Sequence, residues 1–410
     1  MDIGSIGIYI CLFLALYFEV FLLISFLEKR PDARSTKRPS RYPSVSILVP
    51  CFNEERTVAS TINSLLALDY PKKKLEIVVI DDGSTDGTRA IAESFTKNPR
   101  VKYFYKKNGG KYTALNFGIA HSTGDIIGCL DADSFAAPDA LLEMVKRFES
   151  DPTIMACTPV MKVYKPRTML ELMQAVEYTF GIFYKKMFDN LSALNVLPGP
   201  FSMYRRAVFD QIGIFHHAHN TEDMEIAFRM QSYGLKIANA HTAFVYTTVP
   251  KTIRALIKQR TRWSQGFLQN SRDYYYMYLN PRFGHFGMLV LPIGLTAFFA
   301  GIYTAGYSLY HLLSFLITRA LDLFTTHIPL HLPVVQHFNW LYVNVNTLTF
   351  LIFFMIGMTF IAVLLGSRIS ETRLTVKSYI SYFLFFGLIA PLWLVQAAWG
   401  ALLARESSWR

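Results

Sequence analysis

Four long stretches of the chain are nearly free of charged residues. The first, Ile3–Leu27, carries only Glu19, and no Asp, Glu, Lys or Arg occurs in Gly287–Ile317, Leu341–Gly366 or Ser378–Ala404. Each stretch is long enough to cross a hydrocarbon core as a helix, which takes about 20 apolar residues. The hydrophobic pattern therefore predicts about four transmembrane helices, the second of them long enough to begin at the membrane interface.

Between the first two stretches, residues 43–246 alternate short β-rich runs with helix-like segments. The predicted strands are Val45–Val49, Glu76–Ile80, Val101–Tyr105 and Ile126–Leu130. One predicted helix ends at Leu66, and the other predicted helices are Thr88–Phe95, Lys111–His121 and Pro138–Phe148. This order predicts an α/β domain with a mostly parallel sheet and helices on both faces. Ligands of such sheets bind beyond the carboxyl ends of the strands.

Two further segments are neither typical of a soluble helix nor apolar enough to span a membrane. Thr168–Asn190 mixes large apolar residues with charged ones, and Lys251–Arg272 has six basic residues and no acidic one. A basic amphipathic helix that lies in the headgroup plane fits the second segment. The alternative is a helix packed on the surface of the domain.

The composition agrees with a membrane protein, because 52% of the 410 residues are hydrophobic and 17% are charged. The net charge of +11 would suit a nucleic-acid partner, but the basic residues lie beside the apolar stretches. The positive-inside rule then predicts an outside N-terminus, a cytosolic domain and an outside C-terminus, with no nucleic acid bound. The four cysteines lack a paired spacing, so we expect reduced packing residues.

The predicted organisation has four parts. Residues 1–42 form an N-terminal transmembrane helix and basic linker, and residues 43–250 form the α/β domain. Residues 251–282 contain the amphipathic interface helix, and residues 283–410 contain the C-terminal transmembrane helices.

Acidic motifs follow two of the predicted strands. Asp131 and Asp133 come directly after Ile126–Leu130, and Asp81 and Asp82 follow Glu76–Ile80. Mg²⁺ and Mn²⁺ prefer oxygen ligands and commonly bridge one or two carboxylates to substrate phosphates. The motifs therefore predict a divalent-cation site in the crevice, whereas solvated or helix-capping turns are the structural alternative.

Other polar residues are expected in the same crevice. Asn53 and Glu54 follow the first strand and would form a facing wall, and Lys111 begins a helix after two glycines. A lysine at a helix N-terminus is suited to a diphosphate.

A third acidic motif, Thr221-Glu222-Asp223, opens a predicted helix at Met224–Tyr233. Asp223 is a candidate general base for an acceptor hydroxyl. The structural alternative is an N-cap at Thr221 with two acidic residues in the first turn. The nearby His216, His217 and His219 suggest a metal site only weakly, because no partner cluster accompanies them.

The last motif is Gln259-Arg260-Thr261-Arg262-Trp263. An indole offers a flat apolar face on which a sugar ring stacks. Arg262 can bind diphosphate oxygens, and Gln259 can donate a hydrogen bond. The alternative is an interfacial helix with a tryptophan anchor and snorkelling arginines.

Together, D-D-G-S, D-x-D, T-E-D and Q-x-x-R-W in this order resemble the processive family-2 glycosyltransferases. That family includes synthases of poly-N-acetylglucosamine, chitin oligosaccharides, hyaluronan and cellulose. The resemblance runs from Pro43 to Arg272 and includes the downstream apolar stretches. It implies a GT-A fold (a Rossmann-like mixed sheet), a UDP-sugar donor, Mg²⁺ or Mn²⁺, inversion to β-linkages, and secretion of the growing glycan through the enzyme's own helices.

The resemblance also implies roles for the motif residues. The nucleotide sugar would contact Asn53, Glu54, Asp81, Asp82, Lys111, Asp131, Gln259 and Arg262. The cation would bind Asp133 and Asp131, and the catalytic carboxylates would be Asp223, as the base, with Glu222. The acceptor would contact Trp263, Thr221 and, on a looser match, Gly199.

The compact layout and the T-E-D variant are most similar to bacterial poly-N-acetylglucosamine synthases. The donor expected from this resemblance is UDP-N-acetylglucosamine, and the expected location is the bacterial inner (plasma) membrane. The partners would be the growing glycan and the lipid bilayer, with an accessory secretion subunit as a further option. The alternatives are a non-processive transferase acting on a lipid or lipid-phosphate acceptor, and a catalytically inactive membrane protein that binds UDP-sugars.

Overall fold

The computed structural model describes residues 3–29, 38–326 and 346–403. This part of the chain contains a mixed α/β domain and four long apolar helices. The predicted fold class is confirmed. The predicted division into four parts stays a prediction.

The domain is built on one eight-stranded sheet, in the spatial order β3-β2-β1-β4-β7-β6-β8-β5. The strands are β1 Val45–Cys51, β2 Leu75–Asp81, β3 Val101–Tyr105, β4 Ile126–Cys129, β5 Ser134–Ala136, β6 Ile154–Val163, β7 Met203–Arg205 and β8 Lys236–Thr247. Strands β1 to β4 pair in parallel, as predicted. In the other half β6 and β8 also pair in parallel, whereas β7 runs antiparallel to β4 and β6, and β5 runs antiparallel to β8. The sheet is therefore mixed but mostly parallel, as predicted.

The parallel half is stabilised by burial on both faces. All seven residues of β1 are buried, as is typical of a central parallel strand covered by helices. Ile47 and Val49 pack into one hydrophobic cluster, and Leu48 packs into another on the opposite face. This alternation follows from the two-residue period of a strand.

Within the described residues, eight helices belong to the domain and to its edge beside the apolar helices. They are α2 Val58–Leu66, α3 Thr88–Ser94, α4 Lys111–Ala120, α5 Ala140–Ser150, α6 Met169–Asn190, α7 Ala207–Ile212, α8 Glu222–Ser232 and α9 Ile253–Asp273. Helices α2 and α5 cover one face of the sheet, and α4 and α8 cover the other.

The four apolar helices are α1 Ile3–Glu28, α10 Leu291–Thr326, α11 Thr347–Ile369 and α12 Val376–Leu402. All four are long and apolar enough to cross a membrane, which confirms the predicted number. A π-helical turn, Phe286–Val290, leads into α10 and packs against the α/β domain. The first residues of the predicted third span, 341–345, lie outside the described residues.

Helices α6 and α9 join the domain to the apolar helices. Met173 and Val176 of α6 and Leu256 of α9 share one buried cluster with Tyr382 and Trp393 of α12. On its other side α9 packs against the start of α8, where a Cβ at Gly266 would overlap with Thr221. Helix α9 therefore packs on the surface of the domain, which was the alternative prediction for this segment, and it also packs against α12. Its position relative to a bilayer stays a prediction.

Candidate active site

A cavity of about 360 Å³ lies where the predicted motif residues meet. Ten of the predicted site residues line it: Glu54, Lys111, Asp131, Asp133, Gly199, Glu222, Asp223, Gln259, Arg262 and Trp263. They come from the ends of β1 and β4, the start of α4, the loop before β7, and helices α8 and α9. Residues far apart in the sequence thus converge on one cavity, as the motif pattern predicts.

The loop between β4 and β5 places two carboxylates in this cavity. Asp133 accepts a hydrogen bond from Ser134 Oγ at 3.1 Å, and burial together with the neighbouring Asp131 raises the pKa of Asp133 to about 6. Two oxygen-bearing side chains this close suit a hard divalent cation that takes its other ligands from a substrate and water. Within the described ranges, no cluster of three or more His, Cys, Asp or Glu residues is arranged to hold a metal by itself.

Lys111 connects two walls of the cavity, the end of β4 and the start of α8. Its Nζ lies 2.7 Å from Asp131 Oδ1 and 3.3 Å from Glu222 Oε1. Burial alone would lower the pKa of Lys111, but the attraction of Asp131, Glu222 and Asp223 is stronger and raises it above its usual value. Lys111 therefore stays charged and holds the end of β4 near the start of α8.

The two neighbouring carboxylates of α8 have different proton affinities. Burial would raise the pKa of Glu222, but Lys111 and Arg262 outweigh it and lower that pKa. Burial and the adjacent Glu222 raise the pKa of Asp223 to about 6. Asp223 is therefore ionised at neutral pH and is a stronger base than an ordinary aspartate, which suits general-base chemistry.

Thr221 lies behind the cavity wall. Its Oγ1 donates to the Ala218 carbonyl at 3.0 Å and accepts from Asn270 Nδ2 at 3.0 Å. The side chain makes no capping hydrogen bond to α8, so the proposed N-cap is wrong in that respect. Thr221 instead ties α8 to α9, and the predicted contact with an acceptor stays a prediction.

Asp81 and Asp82 are buried beneath the cavity wall. Asp82 accepts the backbone N–H groups of Gly109 at 3.1 Å and Gly110 at 2.9 Å, and it pairs with Lys106. Asp81 accepts from Ser84 N at 2.8 Å and Tyr103 Oη at 3.0 Å. Asp82 thus shapes the loop that leads to Lys111, and Asp81 joins the turn after β2 to β3. The predicted nucleotide contacts of both residues stay predictions.

Asn53 supports the same region. It has a positive φ of 56°, and its Oδ1 accepts the Thr85 N–H at 2.8 Å. Asn53 therefore joins the turns after β1 and β2, while its neighbour Glu54 lines the cavity.

The three histidines near α8 do not form one site. His216 lies 2.9 Å from Arg229 Nη1, His217 packs edge-on against Tyr112, and His219 lies 2.8 Å from Asp273. The weak metal hypothesis for this segment has no support in this arrangement.

Sequence reasoning missed several residues of the cavity and its support. Tyr178 and Lys258 line the cavity, and Arg260 is buried behind it with Glu177 of α6 as its partner. The one signal for Tyr178 and Glu177 was the unusual mixture of apolar and charged residues in Thr168–Asn190. Arg260 could not be distinguished from the other basic residues of its helix.

The matched region of the sequence identifies the domain. Residues 46–213 match the family described as Glycosyl transferase family 2. These residues are a family 2 glycosyltransferase domain. Asp223, Gln259 and Trp263 lie beyond the matched segment, so the cavity combines residues from inside and outside it.

Two similar proteins carry the same printed name, poly-β-1,6-N-acetyl-D-glucosamine synthase. The one from Staphylococcus epidermidis is 32% identical over 272 residues, which are 65% of this chain and 66% of that protein. The one from Staphylococcus aureus (strain COL) is 31% identical over 242 residues, 58% of this chain and 57% of that protein. The chain thus matches 66% and 57% of the length of these two relatives.

A solved structure supports the fold over nearly the whole chain. A mannosyltransferase from Pyrobaculum calidifontis, in complex with GDP-Man and Mn²⁺, superposes with a TM-score of 0.63 at 21% identity. The superposition covers 98% of this chain and 99% of that chain. The family 2 domain therefore has the GT-A fold, and the predicted family resemblance is confirmed.

Proposed function

We propose that this chain is a membrane-embedded, inverting glycosyltransferase that polymerises UDP-N-acetylglucosamine into a β-linked polysaccharide and moves the product across the membrane. The observation that carries this proposal is the single cavity shared by Asp131, Asp133, Asp223 and Trp263. The choice of sugar is supported by the name of the two relatives, poly-β-1,6-N-acetyl-D-glucosamine synthase.

The donor end of the cavity would be the side of Asp131, Asp133 and Arg262. Asp131 and Asp133 would share one Mg²⁺ or Mn²⁺ ion with the donor diphosphate, as the Mn²⁺ complex of the structural neighbour suggests. When bound, this cation would neutralise the charge of the leaving diphosphate. Arg262 would bind diphosphate oxygens through its guanidinium, and Lys111 would keep Asp131 in place.

The acceptor end would be the side of Asp223 and Trp263. Asp223 would remove the proton of the acceptor hydroxyl while that oxygen forms a bond to the anomeric carbon from the face opposite the diphosphate. The bond between the anomeric carbon and the diphosphate oxygen breaks, so the configuration inverts. The indole of Trp263 would stack on the terminal sugar of the acceptor.

The proposed location is the plasma membrane of a bacterium, with the catalytic domain in the cytosol. This placement is supported by the basic residues that flank the apolar helices and by the packing of α6 and α9 against α12. The growing glycan would leave the cavity along the four apolar helices, and an accessory secretion subunit remains part of the proposal.

The test is incubation of the purified chain in lipid with UDP-N-acetylglucosamine, UDP-glucose and UDP-galactose, followed by mass analysis of the products. We expect a ladder of N-acetylglucosamine units from the first donor alone. A single sugar on a lipid acceptor would instead show a non-processive transferase. Tight UDP binding without any product would show an inactive binding protein.

Gly199 gives a second test of the cavity. A Cβ at this position would lie 2.5 Å from Asp131 Oδ1 and 2.5 Å from Lys111 Nζ. We expect Gly199→Ala to push this ion pair aside and to lower the initial rate of transfer by about 100-fold, since small displacements in an active site are that costly. The matched control is Gly181→Ala on α6, where a Cβ meets nothing within 4 Å. Equal rates in the two variants would contradict the placement of Gly199 against the reacting groups.

A further inference from the structure

Behind the cavity, the buried Arg260 of α9 forms an ion pair with the partly exposed Glu177 of α6. We infer that these two residues are positioning residues for the acceptor side of the site, acting through Gln259 and Trp263. This inference rests on the proposed function. It assigns a role to residues that do not themselves line the cavity.

The guanidinium of Arg260 contacts Glu177, Gln259 and Trp263, and it also lies near the ring of Tyr178, with Cζ 5.8 Å from the ring centroid. Its Nε lies 2.8 Å from Glu177 Oε1 and its Nη2 lies 2.9 Å from Glu177 Oε2. Nη1 donates to Gln259 Oε1 at 2.6 Å, and Cζ lies 4.2 Å from the centroid of the Trp263 ring. The planar fork of arginine can serve a carboxylate, an amide and an aromatic face together, whereas lysine cannot.

This arrangement fixes the side chain of Gln259. An arginine has only donors, so the amide oxygen of Gln259 must face Arg260. The amide NH₂ group is then the one that remains for a ligand in the cavity. Gln259 is thereby set as a hydrogen-bond donor toward oxygens of the acceptor sugar.

The same guanidinium determines which face of Trp263 can stack. Arg260 covers one face of the indole in a cation–π contact. A sugar ring must therefore use the opposite face. Since residues 260 and 263 are neighbours on one side of a helix, the contact also holds the indole in one orientation.

Glu177 connects this edge of the cavity to the membrane helices. Its neighbour Val176 is buried against Val363 of α11 and residues of α12. Arg260 is only 4% exposed and the Glu177 side chain is 21% exposed, so the pair is largely shielded from solvent and couples the position of α9 to that of α6. The donor-side residues Asp131 and Asp133 are not contacted by either partner.

The test compares Glu177→Gln and Arg260→Lys with the unmodified chain in lipid, using UDP-N-acetylglucosamine. The matched control is Lys186→Met, which breaks another ion pair of α6, between Lys186 and Asp189 at 3.0 Å. In both test variants we expect elongation to slow by about tenfold or more. The KM for the donor and the rate of donor hydrolysis by water should stay within about twofold, because neither needs an ordered Trp263.

Two further measurements separate positioning from general destabilisation. Combined with Trp263→Ala, the Glu177→Gln change should lower elongation by a clearly smaller factor than it does alone, because coupled residues are not additive. Glu177→Asp keeps the charge and hence the fold, but the shorter side chain shifts the guanidinium, so elongation should fall there as well. The thermal unfolding temperature of each variant in detergent is measured alongside.

Elongation in Glu177→Gln and Glu177→Asp that equals elongation in Lys186→Met would overturn this assignment alone. The assignment would also be overturned if a higher KM for the donor in the test variants accounted for their whole loss of elongation rate. Failure of the unmodified chain to transfer any sugar would overturn the proposed function, and the assignment with it.

Discussion

We expect Asp223→Asn to lower the rate of sugar transfer by about 10²–10⁴-fold, the usual contribution of a general base. Asparagine has nearly the same shape as aspartate but cannot accept the proton of the acceptor hydroxyl. In the folded chain Asp223 has its pKa raised to about 6, so it is an ionised base at neutral pH that has gained proton affinity from its surroundings. Loss of this group removes the step that activates the nucleophile.

Donor binding should be almost unchanged in the same variant, because Asp131, Asp133 and Arg262 remain. The affinity for the donor can be measured by calorimetry and compared with the initial rate of transfer. The matched control is Asp210→Asn, which changes an exposed carboxylate of α7. Near-normal transfer by Asp223→Asn would refute the assignment of the base.

The second large effect is expected on removal of divalent cations. EDTA should abolish transfer, and Mg²⁺ or Mn²⁺ should restore it, because two close carboxylates and a diphosphate need a counter-charge. In Asp133→Asn the concentration of cation needed for half-maximal activity should rise by at least about tenfold, since even outer-shell changes have effects of that size.

This cation dependence is measured by titrating Mn²⁺ into the chelated protein at fixed donor concentration. Asp69→Asn, at an exposed site, is the control for a general effect of lost negative charge. Full activity of the unmodified chain in excess EDTA would remove the role proposed for Asp133.

The features that could be predicted from the sequence are those encoded locally. Strands β1 to β4 are short apolar runs bounded by turns, and the four apolar helices are long uninterrupted stretches. Their predicted bounds agree with the structure to within a few residues, except that α10 ends at Thr326 and not at Ile317. The position of Asp131 and Asp133 in the crevice could also be predicted, because ligands bind beyond the carboxyl ends of parallel strands. The convergence of Asp223 of α8 on the same crevice was implied by the family resemblance and not by this argument.

The features that could not be predicted depend on contacts distant in sequence. The partner of β5 is β8, which follows more than 100 residues later. Arg260 resembles any basic residue of an amphipathic helix, and its partner Glu177 lies 83 positions earlier. Asp82 has the same local sequence whether it binds a ligand or the backbone of Gly109 and Gly110, so the sequence motif does not distinguish the two.

The pairing of β5 with β8 has a consequence for the newborn chain. Ser134, next to Asp133, stands opposite Thr247, and Lys111 and Asp131 are completed by Glu222. A nascent chain that ends at residue 213 carries the whole matched family segment but lacks α8 and β8. We therefore expect β5 to lack its pairing strand and Lys111 to lack Glu222 in such a chain, so that the cavity forms only after residues well beyond the matched segment have been synthesised.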